Sequence, residues 1–126
     1  MPAQYTIDIN HQIVKTIFNG VIKSKDIRDL LAQMAKDSSF RSEFSELTIF
    51  EDGCNLQLSF LDFKALQSLD PFSRDSKRAI VVGRSRANYG LARMFQAARN
   101  DNANLRIFED LKEALNWLSS KEEQAS

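Results

Sequence analysis

Apolar and polar residues alternate at the start of the chain: Tyr5, Ile7 and Ile9 against Thr6, Asp8 and Asn10, the period of a strand with one buried face. After a polar Asn10-His11-Gln12 break, Ile13 to Phe18 forms a second run, and the two predict a β-hairpin. Asn19-Gly20 ends the second strand. Ser24 is placed to cap a helix, with Asp26 in its first turn, where the helix dipole favours a negative charge. Ile27, Leu30, Leu31, Met34 and Ala35 recur at i, i+3, i+4, i+7 and i+8 and give that helix one apolar face.

Phe40 and Phe44 stand at helical spacing in a polar stretch, and Leu47 to Phe50 predicts a third strand closed by Asp52-Gly53. The next segment reads two ways. Leu56, Leu58 and Phe60 alternate, as in a hairpin about Asp52-Gly53, whereas Ser59-x-x-Asp62 resembles a capping box that opens a short helix to about Leu69. The helix is the favoured reading, and Asp70-Pro71 stops it, because a residue before proline is pushed out of the helical region. Lys77 to Val82 is the fourth strand, and its four consecutive apolar residues predict burial on both faces. Ala87, Leu91, Met94, Phe95 and Ala98 then mark a covering helix. Leu105 to Phe108 supplies a fifth strand, and Asp110-x-x-Glu113 opens a last helix with Leu111, Ala114, Leu115 and Leu118 inward and Trp117 beside that stripe.

The resulting order, β, β, α, β, α, β, α, β, α, predicts an α/β fold: a mixed, mainly parallel five-stranded sheet with an N-terminal β-hairpin and about four flanking helices. With 126 residues, the chain is sized for one domain, over 1–120, and the charged tail 121–126 is expected to fray. No apolar run approaches the roughly 20 residues that cross a bilayer, and the N-terminus lacks a leader pattern, so the expectation is a cytoplasmic protein without a membrane span. A single cysteine excludes an intrachain disulfide.

Net charge is zero but unevenly spread. Residues 1–73 carry 7 basic and 10 acidic side chains, residues 74–106 carry 8 against 2, and the remainder carries 2 against 5. All but one of the eight cations in the middle segment are arginine, whose planar fork suits carboxylate and phosphate. Whether they form one surface patch depends on the directions a strand and a helix give them.

The residues Tyr5-Thr6-Ile7-Asp8, Phe18-Asn19-Gly20 before Asp26, Asp37 to Phe40, Arg78 to Val82, Tyr89 to Met94, and Ile107-Phe108 with Glu113 to Leu118 form a pattern over nearly the whole chain. It resembles the small bacterial SpoIIAA-like, STAS-like proteins related to anti-sigma-factor antagonists. The resemblance implies a fold similar to STAS and lipid-binding CRAL-TRIO domains, and a regulatory or protein-interaction role in an unspecified pathway. In anti-sigma-factor antagonists a serine in an Asp-Ser-Ser-Gly loop is phosphorylated by a partner kinase. Here the region reads Glu51 to Phe60 without that motif, which leaves Ser59 as a weak phosphosite candidate by location, with a plain N-cap as its simpler role.

The strand-to-helix junction Gly83 to Gly90 is the main site candidate. Arg84, Ser85, Arg86, Asn88 and Tyr89 could surround a helix start and hold a small anionic or lipid-like ligand, the alternative function being a carrier or sensor of such a molecule. GRSRANYG is neither a dinucleotide-binding nor a Walker loop, and a tight turn with a serine cap explains it as well. The chain shows no catalytic constellation, so the expectation is a protein that is not an enzyme. Cys54 has no local histidine to activate it, His11 reads as a turn residue, and no spacing suggests a metal or another cofactor. Nine phenylalanines read chiefly as core; those of the middle third, Phe40, Phe44, Phe60, Phe63 and Phe72, could alternatively line a lipid-sized cavity. There is no specific nucleic-acid signal. A protein partner is expected, and a self-pairing sheet edge would allow a homodimer.

Overall fold

The computed structural model describes residues 2–99 and 104–120; the tail predicted to fray lies outside them. Five strands form the main sheet, β1 (Ala3–Asp8), β2 (Ile13–Phe18), β4 (Ser45–Phe50), β6 (Arg78–Val81) and β7 (Leu105–Phe108), in the order β1-β2-β4-β6-β7. The hairpin β1/β2 is antiparallel and every other pairing in this sheet is parallel. Two three-residue strands, β3 (Val21–Lys23) and β5 (Asn55–Gln57), pair in parallel as a separate small sheet. This corrects the alternative hairpin: after the Asp52-Gly53 turn the chain leaves β4 and joins β3 through Leu56, which pairs with Ile22. Gly53 turns the chain at φ +79°, where a side chain would be strained.

Helices α1 (Ser24–Ala35), α2 (Phe60–Leu66) and α3 (Arg86–Arg99) belong to one face of the sheet, and α4 (Leu111–Ser119) covers the other. A short 3-10 turn, Gln67–Leu69, extends α2 towards Asp70-Pro71. The three-helix face packs Val14, Phe18, Phe50, Ile80 and Leu105 against Leu30, Met34, Phe63 and Ala92. The α4 face packs Leu47, Ala79 and Val81 against Ala114, Trp117 and Leu118. β6 is buried along its whole length, as its apolar run predicts, because helices lie on both sides of it.

Several boundaries and faces differ from the periodicity reading. α1 begins at Ser24 and not after it: Lys23 is the N-cap residue, and its amide donates to the Asp26 carboxylate at 2.8 Å. Phe40 and Phe44 sit in turns, and their rings meet each other, with Phe40 also edge-on to Phe72. In α3 the inward position expected of Ala87 belongs to Asn88. In α4 Leu111 and Leu115 are exposed and Trp117 is buried, so the helix is rotated to place the indole, its largest apolar group, against Phe108 at 5.8 Å.

Lys77 and Arg78 are both buried, on opposite faces. Lys77 Nζ donates to the carbonyls of Trp117 at 3.0 Å and Ser120 at 2.5 Å, where the negative end of the α4 dipole holds the ammonium. The ammonium also lies 5.1 Å from the centre of the Trp117 ring, and the Arg106 guanidinium lies 5.4 Å from the same ring.

Candidate functional site

Alternate residues of the three central parallel strands project to the face that carries α1, α2 and α3. Thr16 and Phe18 of β2, Glu46, Thr48 and Phe50 of β4, and Arg78 and Ile80 of β6 form one continuous wall, since Thr16 is level with Thr48 and Ile80, and Glu46 with Arg78. The helices roof this wall with Ile27, Leu30 and Leu31 from α1, Phe63 and Leu66 from α2, and Phe95 from α3. Wall and roof enclose a cavity of about 80 Å³. Aliphatic and aromatic carbon covers most of it, and Phe63 meets Phe95 edge-on at 5.6 Å.

One end of the cavity is charged. Arg78 donates from Nη2 to Asp70 Oδ1 at 2.6 Å and from Nη1 to Glu46 Oε1 at 3.3 Å, and Arg99 Nη1 donates to the other Asp70 oxygen at 3.1 Å. Asp70 thus joins two arginines from β6 and α3. Its Oδ1 also accepts the Phe72 amide at 3.0 Å, and the Phe72 ring lies 4.8 Å from the Arg78 guanidinium carbon, so the Asp-Pro turn and the ion cluster hold each other in place. Burial pushes the Glu46 carboxyl above its ordinary range; Arg78 opposes that shift, and the nearby Asp70 carboxylate adds to it. Two buried polar atoms of lining residues, Arg78 Nε and Thr16 Oγ1, have no hydrogen-bond partner among the described residues.

None of the five residues singled out at the Gly83–Gly90 junction lines this cavity. Arg84, Ser85, Arg86 and Tyr89 are exposed beyond the end of β6. Ser85 caps α3, its hydroxyl accepting the Asn88 amide at 3.1 Å and its carbonyl the Tyr89 amide at 3.0 Å. Asn88 turns inward, and its Oδ1 lies 3.8 Å from Cys54 Sγ. Tyr89 Oη accepts from Arg93 at 3.4 Å, one helical turn on. The junction therefore has the geometry of a capped helix start, with its five polar side chains divided between surface and core.

Ser59 is the N-cap of α2: its hydroxyl accepts the Asp62 amide at 3.2 Å while its own amide donates to the Asp62 carboxylate at 2.8 Å. Cys54 is buried, and burial raises the pKa of its thiol, the opposite of what an activated thiolate requires. His11 stands in the exposed hairpin turn beside Asp8, with 2.8 Å between Nδ1 and Oδ2.

Seven of the eight cations of the basic segment go to three places. Arg78 and Arg99 enter the ion cluster, Lys77 and Arg106 flank Trp117 on the opposite face, and Arg84, Arg86 and Arg93 are exposed around the start of α3. Of the phenylalanines set apart as a cavity lining, Phe63 alone lines the cavity; Phe18, Phe50 and Phe95, assigned to the core, supply its other rings. Comparison of the chain with protein-family models, with curated proteins and with solved structures returned no match.

Proposed function

We propose that this protein is a non-enzymatic regulatory domain of STAS-like type, which binds a small, largely apolar molecule between α1, α2, α3 and the sheet and reports its occupancy to a protein partner through α2. One observation carries the reading: an apolar cavity whose single charged end is already ion-paired within the protein. A cavity built this way favours hydrophobic burial and offers few groups for chemistry on a ligand.

Its size bounds the ligand. About 80 Å³ is smaller than the ~150 Å³ engineered cavity that takes benzene, and far below the roughly 300 Å³ at which drug-sized pockets begin. The ligand is then either a small molecule or one that enters as α2 moves outward. α2 suits both roles. Its inner residues Phe63 and Leu66 face the cavity, and its outer residue Leu61 is 76% exposed beside a half-exposed Phe60. Displacement of the inner face on ligand entry carries the outer one with it, which supplies the coupling a regulatory domain needs. The ligand is thereby placed away from the Gly83–Gly90 junction.

Native mass spectrometry of freshly purified protein, with thermal-shift screening of small apolar compounds, tests the proposal. A copurifying small molecule or a concentration-dependent rise in melting temperature is expected. Neither effect across such a panel would reject it.

A further inference from the structure

Among the described residues α4 is the only helix on its face of the sheet, and it leaves β1 and most of β2 uncovered. The buried strand residues beneath it are Leu47 of β4 and Ala79 and Val81 of β6. On the same face β2 presents Ile13, Lys15 and Ile17, each half-buried, and β1 presents Gln4, Thr6 and Asp8, all exposed. The side of α4 that borders this floor is apolar. Trp117 lies on the β7 side of the helix, where it meets Phe108. Leu111 and Leu115, one turn apart, are on the opposite flank, towards β4 and β2, and are 39% and 40% exposed. Ile17 is level with Ile49, and Ile49 with Val81 beneath α4, so the two isoleucines and the two leucines form the floor and wall of one step.

The width of the step fits a helix. Neighbouring strands are about 4.8 Å apart, which puts β2, two strands from β6, roughly 10 Å away from it, and packed helices are about 8–10 Å apart. A helix laid beside α4 therefore rests over β2. Its charge follows from two lysines. Lys15 stands between Ile13 and Ile17 on the floor, Lys112 follows Leu111 on the outer side of the wall, and neither is ion-paired among the described residues. Asp8, the only acid that β1 and β2 place on this floor, is held by His11, whose backbone amide donates to Oδ1 at 3.1 Å and whose Nδ1 lies 2.8 Å from Oδ2. Two copies of the chain joined through this step would bring four lysines together, whereas an acidic helix meets both lysines with the opposite charge. We propose that the step receives an amphipathic helix of a protein partner, apolar along the stripe that meets Ile17, Ile49, Leu111 and Leu115 and acidic on its flanks. The step lies across the sheet from the cavity, and its occupancy does not depend on a ligand there.

Synthetic helical peptides of about 18 residues, with leucine at i, i+3, i+4 and i+7, serve as probes: one with glutamate on its flanks, one with lysine, and a scrambled form of the first. Titrated into the full chain by NMR, the glutamate peptide is expected to shift the methyl groups of Ile17, Ile49, Leu111 and Leu115 saturably. It should bind about fivefold more tightly than the lysine peptide, the scale of two exposed charge pairs, and the scrambled peptide should not bind. Leu115→Ser, at an exposed position, should keep the parent's melting temperature and weaken binding of the glutamate peptide about tenfold. Lys15→Glu should abolish the preference for glutamate over lysine. No saturable shift with any peptide, shifts outside the step, equal binding of the glutamate and lysine peptides to the parent, or a preference unchanged by Lys15→Glu would each overturn the proposal. Sedimentation of the chain alone as a dimer that Leu115→Ser makes monomeric would overturn it too, by showing that a second copy fills the step.

Discussion

Arg78 and Asp70 are joined at 2.6 Å across the turn that contains Pro71, and this pair fastens the end of the α2 segment to β6, an inner strand of the sheet. Both side chains are mostly buried, Arg78 at 4% and Asp70 at 17% side-chain exposure, so the pair is poorly screened by solvent. Asp70→Ala takes one carboxylate oxygen acceptor from each of two largely buried guanidinium groups. Urea unfolding should show a loss of about 3–5 kcal/mol, the range for breaking a buried pair by removing one partner. A loss under about 1 kcal/mol would mean that the pair behaves as a surface contact.

Glu46 makes stability depend on pH in a direction fixed by its environment. Burial raises its folded pKa above the ordinary 4.5, so the folded protein holds this proton more tightly than the unfolded chain does. The associated stability is fully present below the unfolded value and is lost as pH rises through the folded one. Glu46→Gln fixes the side chain in its uncharged form. Melting temperatures followed upward from pH 4.5 should start alike in parent and variant and then diverge with the variant higher. A variant that is less stable at neutral pH would show instead that the ionised Glu46-Arg78 pair is net favourable.

Tyr5 provides a spectroscopic check on the contact between β1 and the turn that follows α1. Its phenol donates to Asp37 at 2.7 Å, and burial, followed by that hydrogen bond and the carboxylate's charge, pushes its pKa up to about 12. The stability linked to this proton is present below the ordinary value of 10.0 and is lost as pH rises through about 12. Ultraviolet absorbance should show a phenolate phase near pH 12 that disappears in Tyr5→Phe and moves down in Asp37→Asn.

Lys77→Met keeps the apolar stem and removes the ammonium that closes α4. The Trp117 and Ser120 carbonyls lose the bonds they accept from the ammonium, and a loss of about 1–3 kcal/mol is expected. Trp117 is the only tryptophan, so the same change should shift its fluorescence, and a variant with the parent's emission and stability would show that the lysine does not hold this helix end.

Wherever a repeat was long enough to count, the fold was legible from the chain. Alternation gave β1 and β2, the unbroken apolar run gave β6 as a doubly covered strand, and Ser59-x-x-Asp62 gave the start of α2. β3 and β5 escaped because a three-residue strand contains too little alternation to register, and each depends on the other, distant in sequence. Two helix faces differ at Asn88, a site candidate from the sequence, and at Trp117, which the periodicity puts beside the apolar stripe, because a Cys54 partner and a Phe108 ring contact hold each inside. Of the cavity only Phe63 was legible: its wall and roof come from β2, α1, β4, β5, α2, β6 and α3, and only the strand register brings Thr16, Glu46 and Arg78 to one face. A usable signal did exist. Arg78 opens a strand buried on both sides, where an arginine requires a carboxylate, and the Asp-Pro turn eight residues earlier supplies one.

Methyl-resolved NMR during a titration with xenon, an apolar probe small enough for a cavity of about 80 Å³, tests most directly whether the three-helix face holds a ligand. Methyl groups of Ile27, Leu30, Leu66 and Ile80 line the cavity, whereas those of Val81 and Leu118 lie across the sheet beneath α4 and serve as an internal control. Saturable shifts in the first group, with the second group still, are the predicted result. No saturable shift, or shifts confined to the α4 face or to the exposed Leu61, would show that the cavity is simply core.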